Sequence, residues 1–272
     1  MEYLYHYTTI QSLALILKNH TIRFNSLDKM DDLQEQETGD VKNAGQFCYV
    51  SSWTEENTES IPMWNMYSSL DAGVRIKLRK CPFKEYENTS ETLSNVIRIE
   101  NDESNGKSLK SIIPLNDIFS KGFFSPQAMA PQNSILFKVE YTQDDEKLYP
   151  KIYSTDGDHF TLALGNLGKV KNIHWSFQKE WRYILLFLPI DISQAGEHTL
   201  LNLQIMANKL ALGLERQPFT SYDMVIDDEA FSEMEIVLSP KISEGNRTII
   251  ENLVARYNPQ AIVKDSDLFG LI

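Results

Sequence analysis

Long apolar runs, a surplus of basic residues, paired cysteines and the common nucleotide-binding signatures are all missing from this sequence, and each absence removes a class of function. The longest apolar segment, YILLFLPI at 183–190, is strand-sized and far short of the roughly 18 residues of a membrane span. No basic stretch followed by an apolar run and a small-residue cleavage site opens the chain, so a cytoplasmic protein with no membrane partner is expected. Two cysteines in 272 residues, Cys48 and Cys81, have neither zinc nor redox spacing and supply no disulfide framework. Cys48, inside QFCYVSSW, reads as a small buried hydrophobe. Lysine and arginine number 26 against 38 acidic residues, a net charge of −12, which argues against coating nucleic acid through a broad basic surface.

Missing motifs narrow the chemistry further. GNLGK at 165–169 lacks the spacing and the hydroxyl residue of a phosphate-binding loop. No G-x-G-x-x-G occurs, so a dinucleotide would not be held in the Rossmann manner. H-E-x-x-H and G-x-S-x-G are absent too, which disfavours a metalloprotease or an α/β-hydrolase. DGDH at 156–159 reads as a turn, because the remaining ligands of a calcium loop do not follow.

What is present is ordinary for a globular chain: hydrophobic residues make up 42% and charged residues 24%. YLYHYTT reads as a first strand, with Leu4, His6 and Thr8 on one face and the tyrosines on the other. Thr8 or Thr9 then caps a helix through IQSLALILKN, whose Ile10, Leu13, Ile16 and Leu17 share a face. Strands are expected at TIRFN, QFCYVSSW, GVRIKLR and SILFKVEYT, a short helix at PMWNMYSS, and a helix at FTLALGNLGKVKN (160–172). KEWRYILLFLP at 179–189 is the strongest strand, alternating Glu180, Arg182 and Ile184 against Trp181, Tyr183 and Leu185. The last third gives a helix through LLNLQIMANKLALGLE, strands at YDMVIDD and EMEIVLSP, a helix at EGNRTIIENLVARYN and a closing strand AIVKD. Strands come in runs, so the class is α+β. We expect one domain over 1–272, with a polar, proline-broken insertion or lid at about 80–133 and a helix–strand extension at about 190–272.

Four segments place polar or aromatic residues where blander ones would serve: YHYTT, IRFNSLDKMDDLQE, SSW followed by MWNMYSS, and KNIHWSFQKEWRY. Glu180 and Arg182 read either as an exposed i, i+2 salt pair or as a carboxylate whose orientation and ionisation an arginine sets. Trp64 and Tyr67, three apart on a helix, face together. Arg23 is a candidate for a pyrophosphate or for Asp31, Asp32 or Glu35. Lys169, Lys171, Lys179 and Arg182 are candidates for a short basic groove able to hold a few nucleotides.

The order and spacing of YHYT, NSLDKMDDLQE, S-S-W, M-W-N-M-Y and W-x-x-x-x-E-W-R resemble a bacterial family placed in the ADP-ribosyltransferase superfamily, of the histidine–tyrosine–glutamate type. The resemblance covers 1–80 and 170–190 well and 190–272 loosely. It implies a split β-sheet core with flanking helices, and NAD as substrate with no metal. It also implies His6 on a ribose hydroxyl, Tyr67 with Trp64 beside it against the nicotinamide, and Glu180 on the 2′-hydroxyl of the nicotinamide ribose. Thr8, Ser51 or Ser52, Arg23, Lys171 and Arg182 are supporting candidates. Gln178 stands where arginine-modifying members carry an acid, which points away from arginine as acceptor. The implied function is transfer of ADP-ribose to a protein or nucleic acid by a bacterial toxin or anti-phage effector, with an antitoxin or trigger as partner. An NAD glycohydrolase and a non-catalytic nucleotide-binding module are the alternatives.

Overall fold

The computed structural model describes residues 2–88, 109–156, 159–189, 205 and 208–272. Its first strands are β1 (Tyr3–Thr9), β2 (Thr21–Ser26), β3 (Cys48–Thr54), β4 (Gly73–Arg79), β5 (Tyr86–Asn88) and β6 (Leu109–Ser111). There follow β7 (Leu136–Lys138), β8 (Glu140–Thr142), β9 (Tyr153–Asp156), β10 (His159–Leu162), β11 (Val170–Asn172) and β12 (Glu180–Leu186). The last are β13 (Ser221–Val225), β14 (Glu235–Leu238) and β15 (Ile262–Lys264). The helices are α1 (Ile10–Asn19), α2 (Ile61–Tyr67), α3 (Leu115–Lys121), α4 (Asp145–Leu148), α5 (Asp228–Ser232) and α6 (Glu244–Tyr257). The class is α+β. Among the described residues no helix is long and apolar enough to cross a membrane.

Nine strands form one sheet in the order β13-β2-β3-β1-β4-β14-β15, with β12 pairing β3 and β7 pairing β12. β3 serves three neighbours. β12 pairs with it along its whole length, from Glu180 opposite Thr54 to Leu186 opposite Cys48. On its other edge β2 takes only Val50 and Tyr49, while β1 takes only Thr54. Ser51, Ser52 and Trp53 therefore lie between the two contacts, and there the sheet divides into a cleft.

Packing fixes that division. Thr9 caps α1 by accepting the Ser12 N–H, and Ile10, Leu13, Ile16 and Leu17 bury the face that their spacing marks out. They join Leu4, Val74, Ile76 and Leu78 in the main core, each such side chain contributing about 1.5–3 kcal/mol by leaving water. Ile112, Ile113, Leu115, Ile118 and Phe123 belong to the same core, so the described parts of the 80–133 segment pack into the body of the protein. A second cluster of Leu27, Val41, Cys48, Val50, Ile184 and Leu186 lies on the β3–β12 half. Cys48 is fully buried there, and burial pushes its thiol up to about 12, as befits an inert hydrophobe.

Residues 160–172 form β10, a 3-10 turn (Leu164–Asn166) and β11, not a helix. Gly165 and Gly168 weaken helix propensity by about 1 kcal/mol each. Gly168 has φ +76°, and an added Cβ would meet Cys48 Sγ and Val50 Cγ1 at 3.3 Å, so the chain turns tightly against β3. The strand expected at 134–142 breaks after Lys138, because β7 follows β12 while β8 pairs in parallel with β11. Residues 200–204, 206 and 207 of the helix expected at 200–215 lie outside the described residues, as do residues 89–108 of the expected lid and 157–158 of DGDH, while 208–211 are helical.

Candidate functional site

β1 and β12 flank β3 at its C-terminal end, Tyr5 and Glu180 both pairing with Thr54. Two strand spacings put those backbones about 10 Å apart. His6 and Glu180 line one cleft with Tyr5, Tyr7, Ser52 and Tyr67, and it encloses about 240 Å3. His6 Nδ1 lies 2.8 Å from the Ser52 carbonyl oxygen, and its ring stacks at a tilt on Trp53 with centroids 5.0 Å apart. A carbonyl can only accept, so Nδ1 carries the proton and Nε2 is left as an acceptor. Burial lowers the imidazole pKa, outweighing the Ser52 hydrogen bond that favours the cation, so the ring is neutral at physiological pH.

Glu180 is 4% exposed and is held from two sides. Arg182 Nε donates to Oε1 at 2.6 Å and its Nη2 to Oε2 at 3.2 Å, while Lys171 Nζ donates to Oε2 at 3.0 Å. The Glu180 N–H donates to the Tyr141 hydroxyl at 2.8 Å. Burial raises the Glu180 pKa, but the charges of Arg182 and Lys171 outweigh it and bring the carboxyl down to about 2. Of the two sequence readings of Glu180 and Arg182, the pair forms, yet it is buried rather than exposed. Glu35 closes the group. Its carboxylate accepts from Arg182 Nη1 and lies 2.9 Å from Lys171 Nζ.

Tyr67 stands in the cleft on α2, whose N-terminus is capped by Ser60 with Pro62 in the first turn. Its hydroxyl accepts from Gln178 Nε2, and Gln178 Oε1 accepts from Lys171. Trp64 does not join Tyr67 as a ligand platform. It is fully buried, donating to Glu59 at 2.8 Å and meeting Tyr7 edge-on at 4.9 Å. Its three-residue offset from Tyr67 puts it on the same side of α2, but underneath, where the helix is anchored. Trp64→Ala is expected to cost about 3–5 kcal/mol in denaturant unfolding, as a large core truncation does.

Other candidates separate in the same way. Ser51 and Ser52 both line the cleft, Ser52 beside Glu180 and Ser51 accepting from Trp53 Nε1 at 3.0 Å. Thr8 is 6% exposed and is not among the cleft-lining residues. Arg23 sits at the rim but binds Asp223 across β13 at 2.8 and 3.0 Å, not Asp31, Asp32 or Glu35. Arg182 has no exposed surface, so it serves Glu180 and Glu35 and cannot contact a phosphate. The basic groove does not form. Lys171 is buried in ion pairs, Lys179 pairs with Glu56 at 3.0 Å, and Lys169 covers Phe137. Tyr141 carries no signal in its pattern, while Trp175 and Asp32 fall within the quoted motifs, Asp32 only as a partner for Arg23; both line the cleft, Trp175 with Lys171 Nζ 5.0 Å above its ring. Among the described residues no group of three or more His, Cys, Asp or Glu side chains is placed to hold a metal ion. No known family model, curated protein or solved structure matches this chain.

Proposed function

We propose that the cleft binds NAD and breaks the bond between nicotinamide and ribose, passing ADP-ribose to a macromolecular acceptor. The observation that carries this reading is the convergence of His6, Tyr67 and Glu180, from three distant segments, on one cleft where the sheet divides. That division around β3 is also what an ADP-ribosyltransferase-like split sheet requires. The enclosed 240 Å3 suits a ring and its sugar, so the rest of the dinucleotide lies along the open side.

Each residue then has a task set by its geometry. His6 Nε2 accepts a ribose hydroxyl, Tyr67 offers a ring face to nicotinamide, and Glu180 faces the ribose. As the C1′–N bond breaks, the electron pair leaves with nicotinamide and the sugar becomes oxocarbenium-like. A fixed carboxylate stabilises that cation more than the ground state. The acceptor then bonds to C1′ and loses its proton.

One observation favours a second reading, in which water is the acceptor and NAD is depleted. Gln178 is 3% exposed with both amide ends engaged, by Lys171 and Tyr67, so it is not free to meet an incoming acceptor. Incubation with labelled NAD and a cell lysate separates the two. Transfer predicts Glu180-dependent label on the protein or the nucleic acid fraction, and hydrolysis predicts free ADP-ribose with neither fraction labelled; no consumption of NAD contradicts both.

The charge environment adds a pH test. With its carboxyl near 2, Glu180 stays ionised across the working range and gives no acid limb. Lys171→Met removes one of the two cations opposing burial, so the Glu180 pKa rises. Turnover should then fall as pH drops between about 6 and 4. A pH–rate profile unchanged in shape would contradict this.

A further inference from the structure

The ion network raises an electrostatic problem. Glu180 is asked to stabilise a cation, yet two buried cations, Lys171 and Arg182, lie within 3.2 Å of it. Alone, that trio would carry one positive charge and oppose both a pyridinium ring and an oxocarbenium ion. Two further carboxylates reverse the balance. Glu35, with a side chain 2% exposed, lies 2.9 Å from Lys171 and also accepts from Arg182. Asp32, 7% exposed, lines the same cleft. Its Oδ1 accepts the Gln34 N–H at 3.0 Å, while its Oδ2 is buried with no hydrogen-bond partner among the described residues. Three buried carboxylates against two cations leave one surplus negative charge in the wall. The other charged groups at the cleft are outward: Arg23 is bound to Asp223, Lys29 to Asp28, and Asp31 is exposed.

We propose that Asp32, with Glu35 neutralising the second cation, is the specificity determinant that makes this cleft select a ligand whose inner end is cationic, the oxidised pyridinium ring of NAD. The inference rests on the NAD reading and adds to it a residue, a charge and a discrimination between redox forms. An unpaired buried carboxylate is costly to keep. A ligand that brings the missing positive charge relieves that cost on binding.

NAD and NADH differ in the charge of this ring, so equilibrium binding of both to the wild-type protein and to Asp32→Asn is the test. The wild type should hold NAD at least about tenfold more tightly than NADH, the size of effect expected from one poorly screened charge. Asp32→Asn should weaken NAD by about tenfold and move NADH by less than about twofold. Glu35→Gln should shift the ratio in the same direction. Should Asp32→Asn not fold, Asp32→Ser takes its place, and the wild-type ratio remains decisive. Equal wild-type affinity for the two forms, or an unchanged ratio in the folded variant, overturns the proposal while leaving NAD as the ligand. Failure of the wild type to bind either form overturns the NAD reading itself.

Discussion

Glu180→Gln is expected to lower NAD turnover by about 10²–10³-fold, the scale of one preorganised electrostatic contact, while changing NAD affinity far less. The split between the two readouts follows from where the carboxylate acts. Its charge matters most when the ribose is cationic, so its loss falls on the chemical step rather than on binding. Glutamine keeps the shape and an acceptor oxygen for Arg182 or Lys171, so the variant should fold with reduced stability. Steady-state kinetics beside equilibrium binding of NAD check this. Equal losses in turnover and affinity would mean that Glu180 only helps to hold the ligand.

Arg182→Met should lower stability by about 3–5 kcal/mol, because it strands two buried carboxylates on a single lysine. That is a large part of the 5–15 kcal/mol typical of a domain. Arg182 has no exposed surface, and besides Glu180 and Glu35 it donates to the Gly168 carbonyl at 3.1 Å. The loss should depend on pH in a defined direction. In the wild type the Glu180 pKa, near 2, lies below its unfolded value of about 4.3, so its stabilising contribution is present above that value and is lost as pH falls towards 2. Without Arg182 burial dominates and raises the carboxyl pKa, so the folded variant takes up protons more readily than its unfolded chain. The stability gap between wild type and variant should therefore narrow as pH falls from 7 to about 5. Urea unfolding at several pH values measures it, and a gap that stays constant would show that the arginine acts through packing alone.

Much of this architecture was readable from local pattern. Apolar spacing located α1 and period-two alternation located β2, because each buries one face against a continuous core, whereas β12 was readable as an apolar run that buries both faces. Glu180 and Arg182 share a face by simple alternation, so their pairing could be read. Their burial could not, since it depends on Glu35, 147 residues away, and on the turn at Gly168. Arg23 shows the same limit: its partner Asp223 lies 200 residues along the chain, on a strand whose register nothing local sets. Trp64 and Tyr67 differ in fate although their spacing makes them neighbours, because the helix period tells which side a residue occupies but not its depth. Residues 160–172 misled for a different reason. Their apolar residues suit a helix, yet Gly168 serves a tertiary approach to Cys48 and Val50 that periodicity does not encode.

The decisive measurement of the proposed chemistry is free nicotinamide released from NAD by the purified wild-type protein, read beside Glu180→Gln in the same cell lysate. The wild type should release nicotinamide, and Glu180→Gln should do so at a rate at least about 10²-fold lower. Equal release by both proteins, or none from a folded wild type that binds NAD, would contradict the proposal and leave the cleft as a binding site without this chemistry.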